Sequence, residues 1–277
     1  MLVDSHAHLD FVDDLEKALV RAKEAGVKKI FSIGTNLEES KKAIEISNKY
    51  SSADLKIYAT CGIHPKDGRA DVEKFGLLHC FETLKQIARS SNKVVAIGEY
   101  GLDYYVTSDP SYAKASEGKQ ETSEEEKKFQ RELFRAQIRL AAELNLPLVI
   151  HCRNGWEEIF DLIDKRGRTS LGVFHSWTGD WEAAKKALDL GFYISFSGIV
   201  TFQNASAVQS VAKKIPLDRM LLETDSPYLA PEPFRGSTNE PKNVRIVAQF
   251  IAGLRNQTVD EISFKTSANA RKLFNLL

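Results

Sequence analysis

"LVDSHAHLDFVDDLEKALVRAKEAGVKKIFSIGT", residues 2–35, contains a short apolar run, a stretch from Asp13 to Ala25 with helical spacing, and a second short apolar run. Hydrophobic alternation that gives way to a 3.6-residue period and then returns is the pattern of a strand-helix-strand unit. The alternation continues along the chain. A helical stretch over 37–50 leads to strand-like runs at 56–64, 93–101, 147–153, 171–177, 191–198 and 218–226, eight in all with 2–9 and 28–35. Helical patterns at 75–89, 124–145, 156–165, 181–190, 205–213 and 241–254 separate them, and one more follows at 259–276.

Eight βα units predict an α/β fold, a single (β/α)8 TIM barrel with an extra C-terminal helix, as one domain over 1–277. An open doubly wound sheet shares the alternation, but no G-x-G-x-x-G follows the first strand. The polar segment "VTSDPSYAKASEGKQETSEEE", 106–126, contains Pro and Gly and reads as a long inserted loop between the fourth strand and its helix.

Composition narrows the class of activity. Lys+Arg and Asp+Glu are both 38, so no global positive field attracts nucleic acid, and phosphate recognition must be local. Cys61, Cys80 and Cys152 form no CxxC pair and no even set, which predicts free thiols in a reducing compartment, cytosol or nucleus. Neither a signal peptide nor a membrane-spanning run is expected, and no obligate protein partner is evident.

In a (β/α)8 barrel, reactive groups gather at the C-terminal ends of the strands. His6 and His8 fall late in the first predicted strand, His64 ends the third, Glu99 the fourth, His151 the fifth, His175 the sixth and Asp225 the eighth. Two residues apart on a strand, His6 and His8 are expected to face inward together. Four imidazoles with Glu99 and Asp225 supply donors for two divalent ions, and a carboxylate-bridged pair of ions favours hydrolysis. Arg153 follows His151 and can grip phosphate oxygens bidentately, and His64 can hydrogen-bond the same group. His79, on a helical pattern, is expected to be structural. Cys152 should point away from His151 into the core, leaving no cysteine nucleophile.

"DSHAHLD" (4–10), "CGIHP" (61–65), "GEYGLDYY" (98–105), "PLVIHCR" (147–153), "HSWTG" (175–179), "ETDSPYLAP" (223–231) and "RGSTNEP" (235–241) together resemble the TatD-type metal-dependent deoxyribonucleases, a branch of the amidohydrolase-like barrels. The resemblance runs nearly end to end. It implies that His6, His8 and Asp225 hold one ion, His151 and His175 a second, and Glu99 bridges them. It further implies a 3′–5′ exonuclease acting on DNA, single-stranded or at 3′ ends, with Glu99 and Asp225 catalytic and His64 and Arg153 on the phosphate. Asp225 would accept a proton from the attacking water.

Glu223 shares the face of Asp225, and Asn239 and Glu240 are expected to brace the loop over the site. Tyr104 and Tyr105 are either base-stacking or packing residues. Tyr100 stands where the family commonly has an aliphatic residue. Four imidazoles favour zinc, manganese or cobalt, whereas the resemblance points to magnesium, so Mg2+, Mn2+ and Zn2+ all stay open. Two rival functions also stay open. One is an amidohydrolase-like enzyme for an amide, lactone or phosphotriester, disfavoured because the fourth strand offers Glu99 and no nearby lysine except Lys93. The other is a non-catalytic metal-binding barrel, disfavoured by a full set of donors.

Overall fold

A computed structural model describes residues 1–105, 122–164 and 171–276. Eight parallel strands lie in the order of the chain: β1 (Leu2–Ala7), β2 (Val27–Ser32), β3 (Lys56–Cys61), β4 (Val94–Asp103), β5 (Leu148–Arg153), β6 (Gly172–Phe174), β7 (Tyr193–Phe196) and β8 (Met220–Leu222). The seam between β8 and β1 is joined just beyond β8. There the His8 amide donates to the Ser226 carbonyl (2.7 Å) and the Asp225 amide to that of His6 (2.9 Å). Asp4 reinforces the seam, accepting from the Thr224 amide (2.9 Å) and hydroxyl (2.6 Å).

The helices are α1 (Leu15–Glu24), α2 (Leu37–Tyr50), α3 (Arg69–Phe75), α4 (Leu77–Arg89), α5 (Glu124–Leu144), α6 (Trp156–Asp164), α7 (Trp181–Asp189), α8 (Ser206–Lys214), α9 (Val244–Arg255) and α10 (Val259–Leu273). Side-chain caps start several of them. Asn36 accepts from the Glu39 amide, Ser123 from Glu126 and Asp180 from Ala183, each satisfying a donor that has no partner within the helix. The helix predicted at 75–89 begins instead at Leu77, because Gly76 takes a positive φ of 80° and separates it from α3. Most of the segment predicted as an inserted loop, residues 106–121, lies outside the described residues. Residues 124–126 belong to the first turn of α5.

Two cores stabilise the barrel. Outward residues such as Leu2, Ile30, Ile57, Ile97, Leu148, Phe174, Ile194 and Leu222 pack against the helices. Inside, Val3, Phe31, Val95, Val149, Val173, Tyr193 and Leu221 form a floor, closed by Ala270, Leu273, Phe274 and Leu276. Asn269 donates to the carbonyls of Leu217 and Met220 (both 2.8 Å), and Ser267 to that of Met1 (3.0 Å), so the predicted extra helix sits across the N-terminal end of the strands. The opposite end is left to the loops. Among the described residues, no helix is long and apolar enough to cross a membrane.

Candidate metal centre

The upper half of the barrel is polar because two strands break their alternation. In β1, Val3 lies in the inner floor and Ala7 in the outer core, although residues four apart should share a face. A register shift between Asp4 and Ala7 accounts for this. In β4, Ile97 and Tyr100 both lie in the outer core, with a shift between them. The extra residue turns Glu99 inward. Glu99 therefore lies within β4, not at the strand end that the sequence predicted. Gly98 makes the approach possible: its φ is 141°, and a Cβ there would stand 2.4 Å from the Val149 carbonyl oxygen.

At β1, β3, β6 and β8 the sequence predicted longer strands than form, and His8, His64, His175 and Asp225 lie beyond their ends. His8 thus joins His6 through the bulge and the following turn, not through simple alternation. Even so, the structure brings the six expected donors together around Glu99. Glu99 Oε2 lies 3.1 Å from His6 Nε2 and 3.6 Å from His8 Nε2. Asp225 Oδ1 lies 3.5 and 3.4 Å from the same two nitrogens. Glu99 Oε1 lies 2.9 Å from His151 Nδ1 and 2.8 Å from His175 Nε2, which are 3.0 Å from each other.

These spacings fit metal ligation. Donors about 2.1 Å from one ion stand about 3.4 Å apart at tetrahedral angles and about 3.0 Å apart at right angles. The His6–His8–Asp225 group matches the first spacing and the His151–His175 group the second. Glu99 gives one oxygen to each. Asp225 Oδ1 is buried without a hydrogen-bond partner, as a donor aimed at a cation would be. His6, His175 and Asp225, His6, His8 and Glu99, and Glu99, His151 and His175 are each close enough to share an ion, as are His64, Asp103 and His151.

Electrostatics follow from this crowding. Burial opposes ionisation of Glu99, but the charges of His175 and His6 overcome it and hold the carboxyl well below its ordinary range. Asp225 is lowered too, its burial outweighed by the close approach of His8 and by the charges of the neighbouring imidazoles. Burial and the charge of His175 push His6 down. Burial also disfavours the cationic forms of His8 and His175, yet carboxylate partners raise both, His8 to about 9.

Each histidine of the second group has a carboxylate near its other ring nitrogen. His175 Nδ1 is 3.5 Å from Glu223 Oε1, which accepts from the Ser176 amide (2.6 Å). His151 Nε2 is 3.6 Å from Asp103 Oδ2, while Lys66 Nζ stands 3.1 Å from Asp103 Oδ1. Carboxylates so placed favour a ring orientation that turns the opposite nitrogen toward Glu99. Asp103 was not singled out in the sequence, though it stands within "GEYGLDYY", and neither was Asp4.

The remaining expected residues are placed as follows. His64 pairs with Asp67 (2.8 Å) and presents Nε2 3.9 Å from Glu99. Arg153 is exposed, lies 3.5 Å over the Tyr105 ring and lines the same cavity of about 610 Å³ as His8, His64, Glu99, His151, His175 and Asp225. Tyr104 instead donates to Glu158 and packs on the outer core. Asn239 is buried, and its side-chain amide donates to the carbonyls of Thr224 (2.9 Å) and Tyr228 (2.7 Å), bracing the loop after β8. Glu240 accepts from Arg21 (2.7 Å), tying that loop to α1. Tyr100 fills the space between β4 and α5 against Phe134, and His79 is exposed on α4. Cys61, Cys80 and Cys152 are buried free thiols, with Cys61 and Cys152 raised by burial out of reach of nucleophilic use.

Residues 3–275 match the family model described as TatD related DNase. The chain is 39% identical to a Bacillus subtilis protein named uncharacterized metal-dependent hydrolase YabD, with all of both chains covered. It is 37% identical to the Escherichia coli K12 metal-dependent hydrolase YcfH, covering 99% of this chain and 96% of that one. Among solved structures, the TatD homologue YjjV of Escherichia coli superposes with a TM-score of 0.83 at 30% identity, covering 100% of this chain and 98% of that one.

Proposed function

The chain belongs to the TatD related DNase family of metal-dependent hydrolases, and from that premise we propose that it hydrolyses phosphodiester bonds of DNA, releasing nucleotides from 3′ ends. The observation that carries this reading is Glu99, whose two oxygens each face a separate group of imidazoles. In this reading His6, His8 and Asp225 would hold one divalent ion and His151 and His175 a second, with Glu99 contributing to both. Magnesium, manganese and zinc are the ions to test. Such a pair, when bound, would supply Lewis acidity toward the phosphate oxygens and the attacking water.

The chain's own groups do the rest. Arg153, at the edge of the cavity, offers its guanidinium fork to the phosphate and offsets charge as it develops. His64, held by Asp67, donates to the same phosphate when Nε2 is protonated. Glu99 and Asp225 stay ionised at neutral pH because their values are held down, and Asp225 takes a proton from the attacking water. Asp103, Glu223 and Asn239 orient the groups that ligate. The buried free thiols suit a reducing compartment, cytosol or nucleus, as the place of action.

The test uses metal-free protein titrated with Mg2+, Mn2+ and Zn2+ on a 5′-labelled single-stranded oligonucleotide, beside His6→Ala and Glu99→Ala. Shortening from the 3′ end that requires metal and is lost in both variants is the expected result. Turnover of an amide or lactone panel with no nucleotide release would overturn the reading.

A further inference from the structure

The cavity over the donors is lined by the polar Thr35, Asn36, Glu39, His64 and Asp67 and by the larger, more apolar Phe11, Tyr228, Leu229 and Ile199. Phe11 is 47% and Tyr228 51% exposed. Tyr228 meets the His8 ring edge to face, with centroids 5.6 Å apart. Asn239 accounts for where Tyr228 stands, because it takes the Tyr228 carbonyl and fixes the backbone there. Phe11 is held by the turn in which its amide donates to the His8 carbonyl (3.1 Å). Both rings are therefore attached through backbone to the segments that carry His8 and Asp225.

We propose that Phe11 and Tyr228 form a stacking surface for the nucleobase of the nucleotide whose phosphate lies at the His8–Asp225 side of the centre. The proposal rests on the nuclease reading above and adds what recognises the nucleotide beyond its phosphate. A flat ring system suits these two aromatic side chains, and stacking on aromatic faces tolerates any base, since every base offers a π-face.

The test measures binding by calorimetry, on metal-loaded protein that has first been assayed on the oligonucleotide. The ligands are thymidine 5′-monophosphate and the same phosphate on a tetrahydrofuran sugar without a base. The intact nucleotide should bind roughly 5- to 140-fold more tightly, the span that stacking on one base provides. That ratio should fall close to one in Phe11→Ala with Tyr228→Ala, and Tyr228→Phe should restore it. A merely structural role would weaken both ligands alike and leave the ratio in place. Equal binding of the two by wild-type protein that degrades the oligonucleotide would overturn the stacking surface and leave the nuclease intact. Wild-type protein that loads metal and degrades no oligonucleotide would overturn the nuclease reading, and the stacking surface with it.

Discussion

His8 stores a proton that a metal ion must displace. Burial alone would drive it off, but the nearby Asp225 carboxylate and the charge of Glu99 push the imidazole up to about 9 from its ordinary 6.5. A folded value above the unfolded one means that this contribution to stability is fully present below pH 6.5 and is lost as pH rises through about 9. Metal competes for the same nitrogen, so metal affinity should climb between those limits, with proton release visible as a dependence of calorimetric heat on buffer. Constant affinity and no proton release would contradict the assignment of His8. Asp103 supports a second prediction. It faces the free nitrogen of His151 and is held below the ordinary carboxylate range, its burial outweighed by His151 and Lys66. Asp103→Asn should weaken metal binding roughly 10- to 100-fold, read from metal titration, while Asp103→Glu restores part of the loss. The four imidazoles were legible because histidine is scarce, 6 in the chain, and its placement near strand ends stands out. Asp103 and Asp4 were not, since 38 acidic residues give no local mark of which one will face an imidazole.

At the scale of elements, apolar runs disclosed all eight strands, because parallel strands covered on both faces read as continuous hydrophobic stretches. Their ends and bulges were not disclosed. Hydrophobic pattern reports which residues are buried, and both the last strand residues and the first loop residues around the mouth are buried, as His8 and His64 are. A bulge leaves no trace in composition either, so the inward turn of Glu99 appears only when the register of β4 against β5 is known. Helix starts were clearer, since caps are local chemistry. Thr258 begins α10 with a reciprocal box, its hydroxyl accepting from the Glu261 amide while the Glu261 side chain accepts from the Thr258 amide. Thr258→Ala should lower stability by about 1 kcal/mol in urea unfolding. Because α10 meets β1 and β8 far from the mouth, metal affinity should hold while the unfolding midpoint falls.

At the scale of the molecule, the barrel interior divides into an apolar lower half and a charged upper half, and the two pull stability in opposite directions. Below, Phe31 is fully buried and its ring meets that of Phe274 with centroids 4.4 Å apart. Phe274, 3% exposed, belongs to the C-terminal segment that closes the floor. Above, Glu99, Asp225 and four imidazoles share one enclosed space, an arrangement whose desolvation cost is met only when the charges find partners. The C-terminal closure therefore has a task that the sequence pattern alone could not reveal. It supplies apolar contact to a barrel whose other end is committed to polar groups. Phe274→Ala should remove about 3–5 kcal/mol by leaving a cavity beneath Phe31. At neutral pH the variant should still bind metal with the stoichiometry of the wild type, because Val3, Val95, Val149 and Leu221 still form the floor beneath the donors. Urea unfolding with and without metal, together with metal analysis of the purified variant, measures both quantities. A variant that keeps its stability would place the closing force elsewhere, and one that folds yet loses metal would show that floor and mouth are a single cooperative unit.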